Sequence, residues 1–215
     1  MHFTHCFFDL DGTLIDSEPG ITHSVQYALR KCGIDPPPAN RLTGFIGPPL
    51  TWGFSHFFGM SDEDSHRAVE FYREYYRAGG MLECRVYDGI QTLLQGLQEA
   101  GVCCVLATCK PYAFAEAILQ HFALDRFFSF VSGPEMDGRR GEKPEVIEHA
   151  MKTLGLSDPG RILMIGDRDS DIAGAHQHGL AAAGVLWGFG TKQELQYANA
   201  DFLCATPAEL KSVIL

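Results

Sequence analysis

Hydrophobic and polar positions alternate along this chain in two distinct ways. From Phe3 to Phe8 the residues are mostly apolar, which predicts a buried strand. From Glu18 to Cys32 the apolar residues Ile21, Val25, Ala28 and Leu29 recur at helical spacing, and Gly33 ends the run. Asp35-Pro36-Pro37-Pro38 is a stiff break. Leu42 to Phe58 is rich in aromatic residues, and Ser61 with Asp64 reads as a capping pair opening a helix from Glu63 to Ala78. No convincing strand pattern lies between Glu18 and Cys84, so this stretch is expected to be a helical insertion.

From Tyr87 the pattern changes. Short apolar runs at Val102–Ala107, Phe127–Val131, Arg161–Ile165, Ala181–Val185 and Asp201–Leu203 predict strands. Helical patterns separate them at Gly89–Ala100, Tyr112–Phe122, from Lys143-Pro144, at Ile172–His178 and from Pro207. Strands alternating with helices predict parallel pairing and right-handed crossovers. The expected fold is α/β: a doubly wound parallel sheet built from residues 1–16 and 85–215, interrupted by a helical domain over residues 17–84.

Composition narrows the function. The chain has 215 residues, 46% hydrophobic and 20% charged, which allows a sizeable core without staples. Its net charge of −10 argues against nucleic acid or an anionic membrane as partner. The seven cysteines (Cys6, Cys32, Cys84, Cys103, Cys104, Cys109 and Cys204) are odd in number and form no C-x-x-C pair. Several lie in apolar strand-like runs, as buried free thiols do, which suggests a reducing cytosol rather than a disulfide framework or zinc site. No signal peptide is read at the N-terminus, and no apolar run approaches the ~18 residues of a membrane span. A cytoplasmic protein, monomeric or weakly dimeric, is expected.

The candidate chemistry sits at predicted strand ends. Asp9 and Asp11 follow the first strand, two residues apart, which in extended chain puts both carboxylates on one face. Such a pair is costly unless a cation lies between its members or one holds a proton. Gly12 permits a sharp turn, and Thr13 adds a hydroxyl and an N–H. Thr108-Cys109-Lys110-Pro111 follows the second core strand, where a hydroxyl beside helix N-terminal amides suits phosphate. Lys143 opens a helix, a mildly unfavourable place for a cation that an anionic partner would explain. Gly166-Asp167-Arg168-Asp169-Ser170-Asp171 crowds three aspartates behind another strand, balanced only by a metal and a lysine. Each stretch by itself reads as an ordinary turn; the order of all four is what carries information.

In that order, Asp-x-Asp-Gly-Thr at Asp9–Thr13, Thr108, Lys143 and Gly-Asp-x-x-x-Asp at Gly166–Asp171 resemble the four motifs of the haloacid dehalogenase superfamily in its phosphatase form. Thr-x-Lys-Pro at Thr108–Pro111 is similar to the phosphoglycolate phosphatase-like branch. The sequence departs from many relatives in having Glu145 and Val146 after Lys143-Pro144, where those have Lys-Pro-x-Pro. The resemblance implies a Rossmann-like core with a helical cap. It implies that Asp9 is the nucleophile on phosphorus and that Asp11 protonates the leaving oxygen. It further implies that Mg²⁺ is held by Asp9, the carbonyl of Asp11 and Asp167. Thr13, Thr108, Cys109, Lys110 and Lys143 are the expected substrate-binding residues, with Thr108 and Lys143 on the phosphoryl group and Asp171 behind Lys143 or a metal-bound water.

The partner so implied is a small phosphate ester: phosphoglycolate-like, or a sugar or nucleoside monophosphate. Arg41, Phe45, Arg73 and Arg77 are candidate contacts from the helical insertion. Two other functions share most of these parts, a sugar-phosphate mutase on the same scaffold and a non-enzymatic receiver-like phosphoacceptor domain.

Overall fold

In the computed structural model, which describes residues 3–136 and 139–215, the chain forms two compact units, Met1–Ile15 with Val86–Leu215, and Asp16–Arg85. It passes between them within two short strands, β2 (Ile15–Asp16) and β3 (Arg85–Val86), which pair with each other.

The first unit is built on six strands. These are β1 (His5–Phe8), β4 (Cys103–Ala107), β5 (Phe128–Ser132), β6 (Ile162–Gly166), β7 (Ala181–Val185) and β8 (Phe202–Cys204). They lie in the order β5-β4-β1-β6-β7-β8, and every pair is parallel. Phe8 stands opposite Leu106 of β4 on one side and Ile165 of β6 on the other. The runs read as near-continuous apolar sequence because helices cover both faces of the sheet. On one face Phe7, Val105 and Met164 pack with Val146, Ile147, Ile172 and Ala175, which come from α6 (Lys143–Leu154) and α7 (Asp169–Gln177). The remaining helices of this unit are α4 (Ile90–Glu99), α5 (Tyr112–His121), α8 (Lys192–Tyr197) and α9 (Pro207–Ile214).

The strand order positions the site. From β1 the chain builds outward through β4 and β5, then returns to the opposite side of β1 to lay down β6, β7 and β8. The reversal falls between β1 and β6, and ligands of doubly wound sheets bind beyond the carboxyl ends of the strands at such a point. Asp9 follows β1 and Asp167 follows β6.

The second unit is helical: α1 (Glu18–Lys31), α2 (Leu50–Phe58) and α3 (Asp62–Arg77), joined by short 3-10 turns. α3 begins as its sequence predicts, with the Ser61 hydroxyl accepting from the N–H of Asp64 at 3.1 Å. Its first turn is acidic and Arg77 lies in its last, matching the helix dipole. Ile21, Val25, Ala28 and Leu29 of α1 are buried, as are Ala68, Val69, Tyr72 and Tyr76 of α3. Phe45 belongs to this core, with its ring centroid 5.0 Å from that of Phe54. Arg73 pairs with Glu70 of its own helix at 3.0 Å, while Arg41 and Arg77 are exposed.

Three helices differ from the sequence reading, which also leaves the two-residue strands β2 and β3 unmarked. α2 forms from the aromatic stretch, where the closely spaced rings hide the helical period. α8 is short and mostly polar. α7 begins at Asp169, not Ile172, so that Asp169 and Asp171 occupy its first turn. Carboxylates are favoured there by the helix dipole, which the apolar periodicity does not register.

Candidate active site

The residues singled out at the strand ends converge. The backbone of Asp9 continues the sheet, its N–H donating to Ile165 O at 2.9 Å. The chain then turns at Gly12, whose φ is +79°, and closes with Gly12 N–H on Ile15 O at 2.9 Å. A methyl group at Gly12 would overlap the Asp167 carboxylate, so glycine is required here for space as well as for conformation.

Asp9, Asp167 and Asp171 present carboxylate oxygens within 4.8 Å of one another. Asp167 and Asp171 are almost wholly buried. Burial, and then the like charges of Asp171 and Asp9, push the Asp167 carboxyl up to about 7, against the pull of two backbone N–H donors. Those donors are Phe189 and Gly190, at 2.8 and 3.3 Å from Asp167 Oδ2.

Lys143 answers part of this charge. Its ammonium, 3% exposed, lies 2.9 Å from Asp9 Oδ1 and 2.7 Å from Asp171 Oδ1. It also donates to the carbonyl of Ala107, the last residue of β4, at 2.9 Å. Burial pulls the lysine down, but the Asp171 and Asp9 carboxylates more than offset it, so the ammonium stays charged. Asp171 is pushed up to about 6 by burial despite Lys143. Its second oxygen accepts from the N–H of Arg168 at 3.1 Å. Asp171 is therefore committed to Lys143 and its own helix start. Arg168 in turn reaches Glu194 of α8 at 2.8 Å, and the same Glu194 oxygen accepts from the N–H of Asp169 at 3.1 Å.

Thr108 is buried beyond the end of β4, and its hydroxyl accepts from the N–H of Lys110 at 3.1 Å. The Cys109 thiol is pushed up to about 12 by burial, so it is a protonated, weakly polar neighbour of the charged cluster. Lys110 turns to Asp11: its ammonium lies 2.9 Å from Oδ1 and 2.7 Å from Oδ2. Thr13 is buried and directs its hydroxyl at Asp167 Oδ1, at 3.4 Å. Asp9, Asp167, Asp171 and Lys143 thus form one contact group, and Asp11, on the turn of Asp9, forms a second pair with Lys110 from beyond β4.

The sequence reading missed the loop after β7. Trp187 Nε1 donates to Thr13 O at 3.0 Å, while Phe189 and Gly190 clasp Asp167. A side chain at Gly190 would collide with the Asp167 carbonyl. The available signal was Trp187-Gly188-Phe189-Gly190 directly behind a strand, since alternating glycines at such a place mark close backbone approach.

The model for haloacid dehalogenase-like hydrolases matches residues 6–185. The chain belongs to that family. A 5'-nucleotidase of Pseudomonas aeruginosa is 44% identical over 214 residues, covering 100% of this chain and 96% of the relative. A tyrosine-protein kinase, PtkA, of Mycobacterium tuberculosis is 39% identical over 93% of this chain, which spans 65% of that relative. Among solved structures, a predicted phosphatase from Clostridium acetobutylicum is 40% identical and superposes with a TM-score of 0.94, covering 100% of this chain and 99% of the other. Within the haloacid dehalogenase-like hydrolases this chain is of the phosphatase kind, and its α/β core is the family's. Among the described residues no helix is long and apolar enough to cross a membrane.

Proposed function

We propose that the chain is a Mg²⁺-dependent phosphatase of small phosphomonoesters, with nucleoside 5'-monophosphates first among the candidates. The observation that carries the reading is the pair of carboxylates at the end of β1. Asp9 lies against a buried ammonium, and Asp11 is held on the same turn two residues later. The substrate class is supported by likeness to the 5'-nucleotidase over the whole chain.

In this reading an oxygen of Asp9 attacks phosphorus, the ester P–O bond breaks, and the leaving oxygen takes the proton of Asp11. Water then attacks phosphorus of the aspartyl-phosphate, gives its proton to Asp11, and frees phosphate and Asp9. Lys143 and Thr108 offset and orient the phosphoryl oxygens. The donor set fits a hard divalent cation, because three clustered carboxylates meet only one buried ammonium and Asp167 is left strained toward neutrality. Asp9, the Asp11 carbonyl and Asp167 would hold the ion, with Asp171 already committed to Lys143. Once bound, Mg²⁺ supplies positive charge to the phosphoryl group.

The kinase relative suggests a second acceptor, a tyrosine hydroxyl in place of water. Phosphate release from nucleoside 5'-monophosphates, phosphoglycolate and sugar phosphates, measured with and without Mg²⁺, tests the main reading. Ester hydrolysis should require the metal and fall at least ~10⁴-fold in Asp9→Asn, as for loss of a catalytic nucleophile. Undiminished turnover in Asp9→Asn overturns the covalent route. Transfer from ATP to a tyrosine peptide without ester hydrolysis selects the second acceptor.

A further inference from the structure

Lys110 shows an allegiance that its place in the sequence conceals. A lysine two residues after Thr108 reads as a phosphate contact. In the structure its side chain is 6% exposed, and its ammonium grips both oxygens of Asp11, at 2.9 and 2.7 Å. Both ends of this bridge are anchored. On the lysine side, Thr108 N–H donates to Ser132 O at 3.0 Å and Tyr112 N–H to Pro134 O at 2.9 Å, pinning the turn to the end of β5. A side chain at Gly133 would press on the Lys110 carbonyl. On the aspartate side, the turn is closed by Leu14 N–H on Leu10 O at 2.9 Å and Gly12 N–H on Ile15 O at 2.9 Å. With both backbones fixed, the Asp11 carboxyl retains only its side-chain torsions, and a two-oxygen contact sets these. A lone carboxylate on a turn would sample several rotamers, and proton delivery falls steeply when the donor is misplaced.

We infer that Lys110 is a positioning residue that acts through Asp11, keeping its hydrogen bond to one carboxyl oxygen when the other takes up a proton, so that this proton points at the leaving oxygen, and not a phosphate-binding residue. The inference rests on the reading of Asp11 as proton donor. It explains why a lysine stands here: an ammonium with three donors reaches both carboxylate oxygens from a neighbouring strand end.

The test is the dependence of kcat/KM on leaving-group pKa, measured on the full chain with Mg²⁺ over substituted phenyl phosphates of nearly constant shape. Good leaving groups need little protonation and poor ones need much. The slope should steepen in Lys110→Met, with about 10²-fold loss for the poorest leaving group and a clearly smaller loss for p-nitrophenyl phosphate, following the usual worth of a general acid. Asp11→Asn should steepen the slope similarly. The double variant should match Asp11→Asn alone, because a residue acting through another adds nothing once that one is gone. Lys110→Arg should restore part of the slope. Equal losses across the series with a raised KM, or additive losses in the double variant, overturn the inference. If Lys110→Met unfolds by circular dichroism, Lys110→Gln and Lys110→Arg are scored on the same slope. If Asp11→Asn leaves the slope unchanged, Asp11 is not the proton donor and the parent reading fails with its dependent.

Discussion

The two units of this chain use charge in opposite ways. Among the described residues, the ion pairs of Asp16–Arg85 lie at the surface. Arg67 meets Asp64 at 3.2 Å with the two side chains 62% and 50% exposed, and Lys31 meets Glu74 at 3.6 Å. Such pairs contribute about 0–1 kcal/mol each, and this unit is held by apolar and aromatic packing around Phe45, Phe54, Tyr72 and Tyr76. In the sheet unit, Lys143 meets Asp9 and Asp171 with almost no water access, and Lys110 meets Asp11 in similar isolation. Burying charge costs several kcal/mol per ion unless geometry and hydrogen bonds repay it. Stability alone would favour apolar side chains at those positions. The cluster lies where strand order reverses, so its presence points to chemistry and not to folding.

The sharpest way to break this contrast is to remove one charge from each unit. Lys143→Met leaves Asp9 and Asp171 facing each other, and should lower unfolding stability by about 3–5 kcal/mol in urea titrations near neutral pH. A loss under 1 kcal/mol would mean that the buried network relaxes as freely as a surface pair.

A second effect concerns space around Asp167. Gly12→Val forces a branched side chain into a positive φ and against the Asp167 carboxylate, at a cost of about 1–3 kcal/mol for the backbone alone. Mg²⁺ binding measured by calorimetry should weaken at least ~10-fold, because the displaced carboxylate is a proposed ligand; unchanged affinity would remove Asp167 from the ligand set.

Third comes pH. The Asp167 carboxyl lies at about 7 in the folded chain against an ordinary 3.8, so the folded state holds the extra proton between those values. Stability from this group is fully present below about pH 4 and is lost as pH rises to about 7. Without divalent cations, the thermal midpoint of wild type relative to Asp167→Asn should fall as pH rises from about 5 to about 7 and level off above that. Added Mg²⁺ should flatten that fall by favouring the deprotonated form. A relative midpoint that rises over this interval contradicts the burial argument.

The smallest effect is the control from the helical unit. Arg67→Ala should change unfolding stability by less than about 1 kcal/mol, and the change should shrink further in high salt.

Much of this was legible because the signals are local. Phe3–Phe8 and the later apolar runs announce strands buried on both faces. Ser61 with Asp64, and Lys143-Pro144, announce helix starts. Asp9, Asp11, Thr108, Lys143, Asp167 and Asp171 stand out through their order along the chain, since each stretch taken alone is an ordinary turn or helix start. Helix boundaries were less legible at α7, where Asp169 and Asp171 begin a helix without contributing to its apolar stripe. The short polar α8 left no period to read, yet it supplies Glu194 to the acidic loop.

By itself the sequence determined which segments form the six-stranded sheet, their alternation with helices, and the chemical types gathered at their ends, since each follows from neighbours within a turn or two. Only the tertiary structure decided which of those residues meet. Lys110 and Asp11 are 99 positions apart, and Phe189 and Asp167 are 22 apart. Their contacts follow from β4 lying beside β1 and β7 beside β6. Strand order is set by how the whole sheet buries its apolar faces, and no local pattern encodes it.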